Sequence, residues 1–335
     1  MFAFHLNAMQ LTRQITPLVR FTSKACAVIL LFACYGHAAH GQKLYVSTYN
    51  NNTVRDYTAS GTDLGVLTSN GLSQAYNMAI SPTNGDLYVV SRNNSTVRRY
   101  NPTTGALVGT ISTGANTFPA GLAFGPAGDL FVTLDSGSHP IRRYNPETGI
   151  QIGGDFAAST VTRPLTLAYG PDGNFYVADW GTNSAGNGTI VTRYSGTTGA
   201  SLGIFASTNL LAPDGLAFGP DGNLYVSNEG TSTITRYSGT TGAYLNTFVG
   251  SGLTSAEGLT FGPDNNLYVA NFAANAVLRF DGSTGASLGQ FASLSTPYGV
   301  VFSGAATPNV PEPGSMGLLI GMAVSAAAFV RKRKK

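Results

Sequence analysis

In the stretch PDGLAFGPDGNLYVSNEG at 213–230, an aspartate precedes the first glycine and an Asn–Glu pair closes the next apolar run. The same two slots elsewhere in the chain hold Glu257, Tyr76 and Tyr298, and Asp179 with Trp180, Arg92 and Tyr49. Carboxylates and carboxamides are hard oxygen donors suited to Ca2+ or Mg2+, and Asp214, Asn228, Glu257, Asp179 and Glu229 form that candidate set. The aromatic and cationic members, Trp180, Tyr298, Tyr76, Arg92 and Tyr49, are candidate contacts for a bound ligand. Acid–base and nucleophilic chemistry has less to draw on. His139 is the one histidine beyond the first 40 residues, and no Ser–His–Asp set or HExxH motif occurs. Both cysteines, Cys26 and Cys34, lie in an N-terminal segment expected to be removed, so the mature chain would have no thiol for catalysis, disulfides or metal.

These slots are set by an internal repeat. The apolar strand LYVS at Leu44 recurs as LYVV at Leu87, LFVT at Leu130, FYVA at Phe175, LYVS at Leu224 and LYVA at Leu267. Each is followed by a strand ending in an aromatic: Tyr57, Tyr100, Tyr144, Tyr194, Tyr237 or Phe280. A strand of the form GLAFGP precedes several of them, at Gly121, Gly215 and Gly258. One unit therefore reads as four strands, a (GLAF), b (LYVS), c (TITRY) and d (ASLGIF). GPDG-type turns join a to b, and Thr-Gly turns join c to d. Six such units predict an all-β, six-bladed propeller of four-stranded blades. Strand b at Leu44 lacks an a-strand before it, while Thr296–Gly304 is an a-like strand with no b-strand after it. Pairing these two would close the ring and hide both edges.

Spacing indicates which face is used. From each strand c aromatic to the next strand b the count is 30 or 31 residues, whereas from strand b to its own aromatic it is 13, 13, 14, 19, 13 and 13. The variation falls in the b–c loops, above all Trp180–Gly188. Irregular loops on a regular scaffold carry function, so the b–c face is the expected mouth. There an acidic sector (Asp135, Asp179, Asp214, Glu229, Glu257) faces an aromatic one (Tyr49, Tyr76, Tyr298, with Arg92). Arg99, Arg143, Arg193, Arg236 and Arg279 recur once per blade, which marks them as structural, bonding loop carbonyls or a neighbouring blade.

The repeats resemble those of NHL-type and streptogramin-lyase-type propellers over residues 43–304. The mouth is similar to that of the regucalcin–gluconolactonase family, which implies a divalent metal held by Glu, Asn and Asp; Asp214 is the best match, with Asn228 and Glu257 beside it. Glu229 in VSNEG resembles a streptogramin-lyase segment, but that chemistry needs a pair of histidines. Fold likeness alone does not assign an activity.

The chain ends read differently from the middle. Residues 1–41, with Arg13, Arg20 and Lys24 before the apolar run Ala25–Cys34, are expected to be a signal peptide. The propeller is expected over 42–306, a Pro-rich linker over 307–314, a transmembrane segment over 315–330 and a basic cytoplasmic tail over 331–335. Eight of the 19 basic groups lie in the two end segments, so the propeller carries 11 basic against 15 acidic groups, about −4. That balance offers no face for nucleic acid. Val310, Pro311, Glu312 and Pro313, followed by an apolar run and Arg331, Lys332 and Arg333, resemble the PEP-CTERM sorting signal. The resemblance implies exosortase as a transient partner at the inner membrane, then delivery to the surface or exopolysaccharide matrix of a Gram-negative bacterium. The expectation is a non-catalytic binding or structural module whose b–c face takes a glycan, small ligand or surface protein; the alternative is a metal-dependent lactonase-like hydrolase, or less favoured, a lyase.

Overall fold

A computed structural model describes residues 42–136, 140–158, 162–181 and 188–304. The segments read as signal peptide, linker, transmembrane segment and basic tail lie outside the described residues, as do His139 and most of the long b–c loop. The described residues form a six-bladed β-propeller of twenty-four strands in six antiparallel sheets, each of four strands. Strand a of the successive blades is Ala75–Ile80, Pro119–Phe124, Pro164–Tyr169, Pro213–Phe218, Ala256–Phe261 and Pro297–Phe302. Strand b, beginning with the closing blade, is Lys43–Thr48, Leu87–Ser91, Leu130–Leu134, Asn174–Asp179, Leu224–Asn228 and Leu267–Asn271. The ring closes as the repeat predicts. Leu44 pairs with Phe302 and Val46 with Val300, and Ser303 N donates to Lys43 O at 2.8 Å.

Packing between blades follows from the aromatic at the second position of the LYVS-type run in strand b. The Tyr176 ring meets Phe205 of its own strand d at 4.7 Å and Phe218 of the next strand a at 5.0 Å, both edge-on. Tyr225 repeats this with Phe248 and Phe261, and Tyr268 with Phe291 and Phe302. Edge-to-face pairs satisfy the ring quadrupoles, and each fully buried ring contributes roughly 2 kcal/mol. The hydroxyls of these three tyrosines donate to Asp172, Asp221 and Asp264 in the a–b turns at 2.9–3.0 Å.

Four of the five recurring arginines form ion pairs with a carboxylate of their own blade rather than bonds to loop carbonyls. Arg99, Arg143, Arg193 and Arg236 pair with Asp86, Asp129, Asp172 and Asp221 of the a–b turn in their own blade. Only Arg99 also reaches the next blade, at Glu147 (2.5 Å). An aspartate in the turn is the nearer acceptor because strands b and c are hydrogen-bonded neighbours.

The a-strands crowd the axis, which explains the glycine of GLAF. A Cβ on Gly258 would lie 2.4 Å from the Tyr298 carbonyl oxygen, and one on Gly215 2.6 Å from that of Glu257. At Gly121 it would lie 2.5 Å from Leu167 N. Two strand b hydroxyls stitch this contact, and a third bonds the glycine of its own blade. Ser227 Oγ accepts from Gly215 N (2.7 Å) and donates to Glu257 O (2.6 Å), and Ser47 Oγ bridges Gly299 N and Tyr76 O in the same way. Thr133 Oγ1 accepts from Gly121 N at 2.8 Å. Gly258→Ala is therefore expected to lower stability by about 3 kcal/mol or more, the scale of overpacked cores. Gly154→Ala, whose Cβ meets nothing within 4 Å, should change it by no more than about 0.5 kcal/mol, as at ordinary surface sites. Denaturant unfolding of the two variants measures both.

Candidate functional site

Every a–b pair carries a register shift at the same place. It falls between Ala75 and Met78, Pro119 and Leu122, Pro164 and Thr166, Pro213 and Leu216, Ala256 and Leu259, and opposite Val46–Thr48 in the closing blade. A bulge inserts an extra residue and re-aims its side chain. Here the residues in the bulges are Tyr76, Ala120, Leu165, Asp214, Glu257 and Tyr298, all buried. They form an inner ring at the b–c mouth.

The residue that follows strand b forms a second ring: Tyr49, Arg92, Asp135, Trp180, Glu229 and Phe272. Each is fixed by its own backbone N–H, which donates across to the residue just before strand a. Arg92 N bonds Gln74 O, Glu229 N bonds Ala212 O and Phe272 N bonds Ser255 O, at 2.9–3.1 Å. The acceptors Gln74, Phe118, Ala212, Ser255 and Thr296 all have φ between 45° and 58°, a costly conformation for side-chain-bearing residues that collects at functional surfaces. Together the rings line a cavity of about 220 Å³ that holds Tyr49, Tyr76, Arg92, Trp180, Asp214, Glu229, Glu257 and Tyr298, joined by Arg163, Leu165 and Phe272. Below it, Asn77 Nδ2 donates to Ala120 O and Leu165 O at 3.3 and 3.1 Å, crossing the axis.

Two of the ion-ligand candidates sit elsewhere. Side chains alternate along a strand, so the last residue of strand b points away from the mouth when its successor points in. Asn228 Oδ1 accepts from Leu211 N at 3.2 Å, and its amide donates to Thr235 Oγ1. Asp179 Oδ1 accepts from the backbone N–H groups of Thr162, Arg163 and Gly181 at 3.1–3.2 Å. Both anchor loops. Among the described residues, no three or more His, Cys, Asp or Glu side chains are grouped to hold a metal ion. Trp180 is also less open than a stacking platform requires: its Nε1–H donates to Glu229, and the Arg163 guanidinium covers its ring at 4.5 Å.

The floor of the mouth holds a carboxyl pair. Asp214 is 0% exposed and Glu257 4%. Burial pushes Asp214 up to about 6, against the opposing hydrogen bonds from Tyr298 and Glu257. Glu257 is driven further up, first by burial and then by the charges of Asp214 and Glu229. Glu257 is therefore the donor of the pair and Asp214 the acceptor. The Tyr298 hydroxyl contacts Asp214 Oδ2 at 2.5 Å and also the Tyr76 hydroxyl. Having one proton, Tyr298 gives it to the ionised Asp214 and accepts that of Tyr76. The two rings stack at 3.8 Å. Across the mouth, Asp135 pairs with Arg92 and with Arg163 Nε at 3.0 Å.

Arg163 was not among the candidates read from sequence. It occupies the position before strand a, where the other blades carry Gln, Phe, Ala, Ser and Thr, and the lone charge in that set was its one signal.

Comparison with known proteins agrees with the fold and the tail. The pattern described as the PEP-CTERM protein-sorting motif matches residues 309–334. This motif is recognised by exosortase and marks an exported chain of Gram-negative bacteria that transits the membrane. No curated protein sequence matches the chain. Among solved structures, one from a nidogen/laminin complex superposes with a TM-score of 0.67 at 17% identity, over 78% of this chain and 98% of that one. Virginiamycin B lyase from Staphylococcus aureus gives 0.56 at 16%, over 74% and 84%, and a gluconolactonase from Xanthomonas campestris 0.56 at 20%, over 67% and 78%. At these identities the likeness shows the propeller alone.

The carboxyl pair has a consequence for stability. A carboxyl whose folded pKa is raised stabilises the fold fully below its unfolded pKa and loses that contribution as pH rises through the folded value. Asp281, held to about 2 by hydrogen bonds from Ser283 and Thr284, acts in the opposite sense, but it is common to wild type and variant. Glu257→Gln, which keeps a donor toward Asp214, should therefore gain stability relative to the wild type as pH rises from 4 to 8. Parallel stability curves over that range would contradict the assignment.

Proposed function

We propose that this chain is an exported surface or matrix protein whose propeller is a non-catalytic binding module, with its ligand seated in the b–c mouth. The observation that carries the reading is the convergence of five of the six strand a bulges on one cavity, backed by six equivalent backbone bonds that fix its rim. A cavity of about 220 Å³ suits one residue-sized group, such as a sugar unit or a side chain of a longer partner, rather than a whole chain. Tyr49 and Phe272 are the rim surfaces open enough to meet it.

The direction of the chain ends supports this role. Strand a runs from the mouth to the a–b turns, so Gly304 and Gln42, in contact at 3.3 Å, both leave from the face opposite the mouth. The sorting motif begins five residues after Gly304. Tethering through the tail leaves the mouth open.

One observation favours a second reading, the metal-dependent hydrolase. Asp214 and Glu257 share a proton whose place a divalent ion could take. When bound, such an ion would polarise a lactone carbonyl. The neighbouring residues would position it: Tyr298 holds Asp214, and Ser255 Oγ donates to Glu257 Oε1 at 2.8 Å.

Cell fractionation tests the first reading. Deleting residues 309–334 should abolish exosortase-dependent sorting, whereas Tyr49→Ala with Phe272→Ala should be sorted normally yet lose roughly tenfold in retention on washed cells, as expected for about 1.4 kcal/mol of lost contact. Equal retention would overturn the binding role. A calcium-dependent rise in melting temperature that is lost in Asp214→Asn would instead favour the hydrolase.

A further inference from the structure

The mouth is electrically two-sided. On one wall a single carboxylate, Asp135, serves two guanidinium groups, Arg92 and Arg163. That wall carries one positive charge more than it neutralises. Arg92 is buried and also spends an Nη on Phe118 O at 3.2 Å. Arg163 engages Asp135 through Nε, and among the described residues its terminal nitrogens take no partner. On the other side, Asp214 and Glu257 retain one negative charge between them when they share one proton. Glu229 adds a second, softened by the Trp180 N–H. Both surpluses line the same small cavity.

We propose that the mouth is a receptor for a small zwitterion, an amino-carboxylate whose carboxylate pairs with the Arg92–Arg163 wall and whose ammonium sits over Asp214 and Glu257. The proposal rests on reading the mouth as a binding site and names its ligand class. The Arg163 guanidinium, whose terminal nitrogens have no hydrogen-bond partner among the described residues, presents the planar fork that matches a carboxylate. An ammonium has donors for the carboxyl oxygens, and Tyr49 and Phe272 border it with aromatic faces that favour a cation. A single ion would satisfy one side and leave its own charge unmatched against the other. A neutral polyol would desolvate both surpluses and compensate neither.

Calorimetry on the purified full-length chain tests this with 4-aminobutanoate, 5-aminopentanoate and 6-aminohexanoate. The controls are pentylamine, pentanoate and 1,5-pentanediol, each lacking one or both charges. At least one amino acid should bind roughly tenfold tighter than pentylamine or pentanoate, a coupling of about 1.4 kcal/mol. Arg163→Gln, at a partly exposed position, should remove the advantage over pentylamine, and Asp214→Asn the advantage over pentanoate. Amine or acid alone binding as tightly as the amino acids would overturn the zwitterion. Binding of the diol or of saccharides without the amino acids would also overturn it while leaving the mouth a binding site. If neither these probes nor saccharides bind, both readings fall.

Discussion

The close approach of the a-strands around the axis is the constraint from which the rest of the molecule follows. Six inner strands meet there, and in four of them Gly121, Gly215, Gly258 and Gly299 stand where a Cβ would strike the next blade at 2.4–2.8 Å. At the mouth end the strands relieve this crowding by bulging, and the bulge turns one side chain per blade inward. Scaffold and site are thus one device. The interaction that seals the axis also supplies the inner ring of the mouth.

What occupies that ring departs from what the fold needs. A packed core would place apolar residues at all six positions, as Ala120 and Leu165 do. Instead Asp214, Glu257, Tyr298 and Tyr76 are buried there, at the cost of desolvating two carboxyls. The pair meets that cost by keeping a proton, and the tyrosines donate toward the charge that remains. Buried titratable groups that converge on a cavity mark a site with a task, and nothing in the packing of the blades requires them.

The fold was legible because its signals are local and repeated. LYVS, GLAFGP and the Thr-Gly turns each report one strand or hairpin, and the missing a-strand before Leu44 reported the closure. The mouth was legible in outline for the same reason: equivalent slots in each repeat become a ring. The errors came from side-chain direction. Asn228 and Glu229 are adjacent in sequence, yet one anchors the 211 amide and the other faces the cavity, and the same alternation separates Asp179 from Trp180. Without the register of strand b, type and position could not separate them. Arg163 escaped because it belongs to a loop whose equivalents share no chemistry. For four of the five arginines before the strand c aromatics, choosing Asp over a carbonyl required knowing that the a–b turn lies beside the end of strand c.

The proton shared by Asp214 and Glu257 is directly observable. An infrared titration of the carboxyl stretch reads it without reference to ligand or stability. The wild-type chain should retain a protonated carboxyl band at neutral pH, absent in Glu257→Gln, with a second carboxyl ionising near 6, the range to which burial pushes Asp214. Loss of every protonated carboxyl band by the ordinary range for Asp and Glu, near 4, would contradict it, and the mouth would then be a solvated rim.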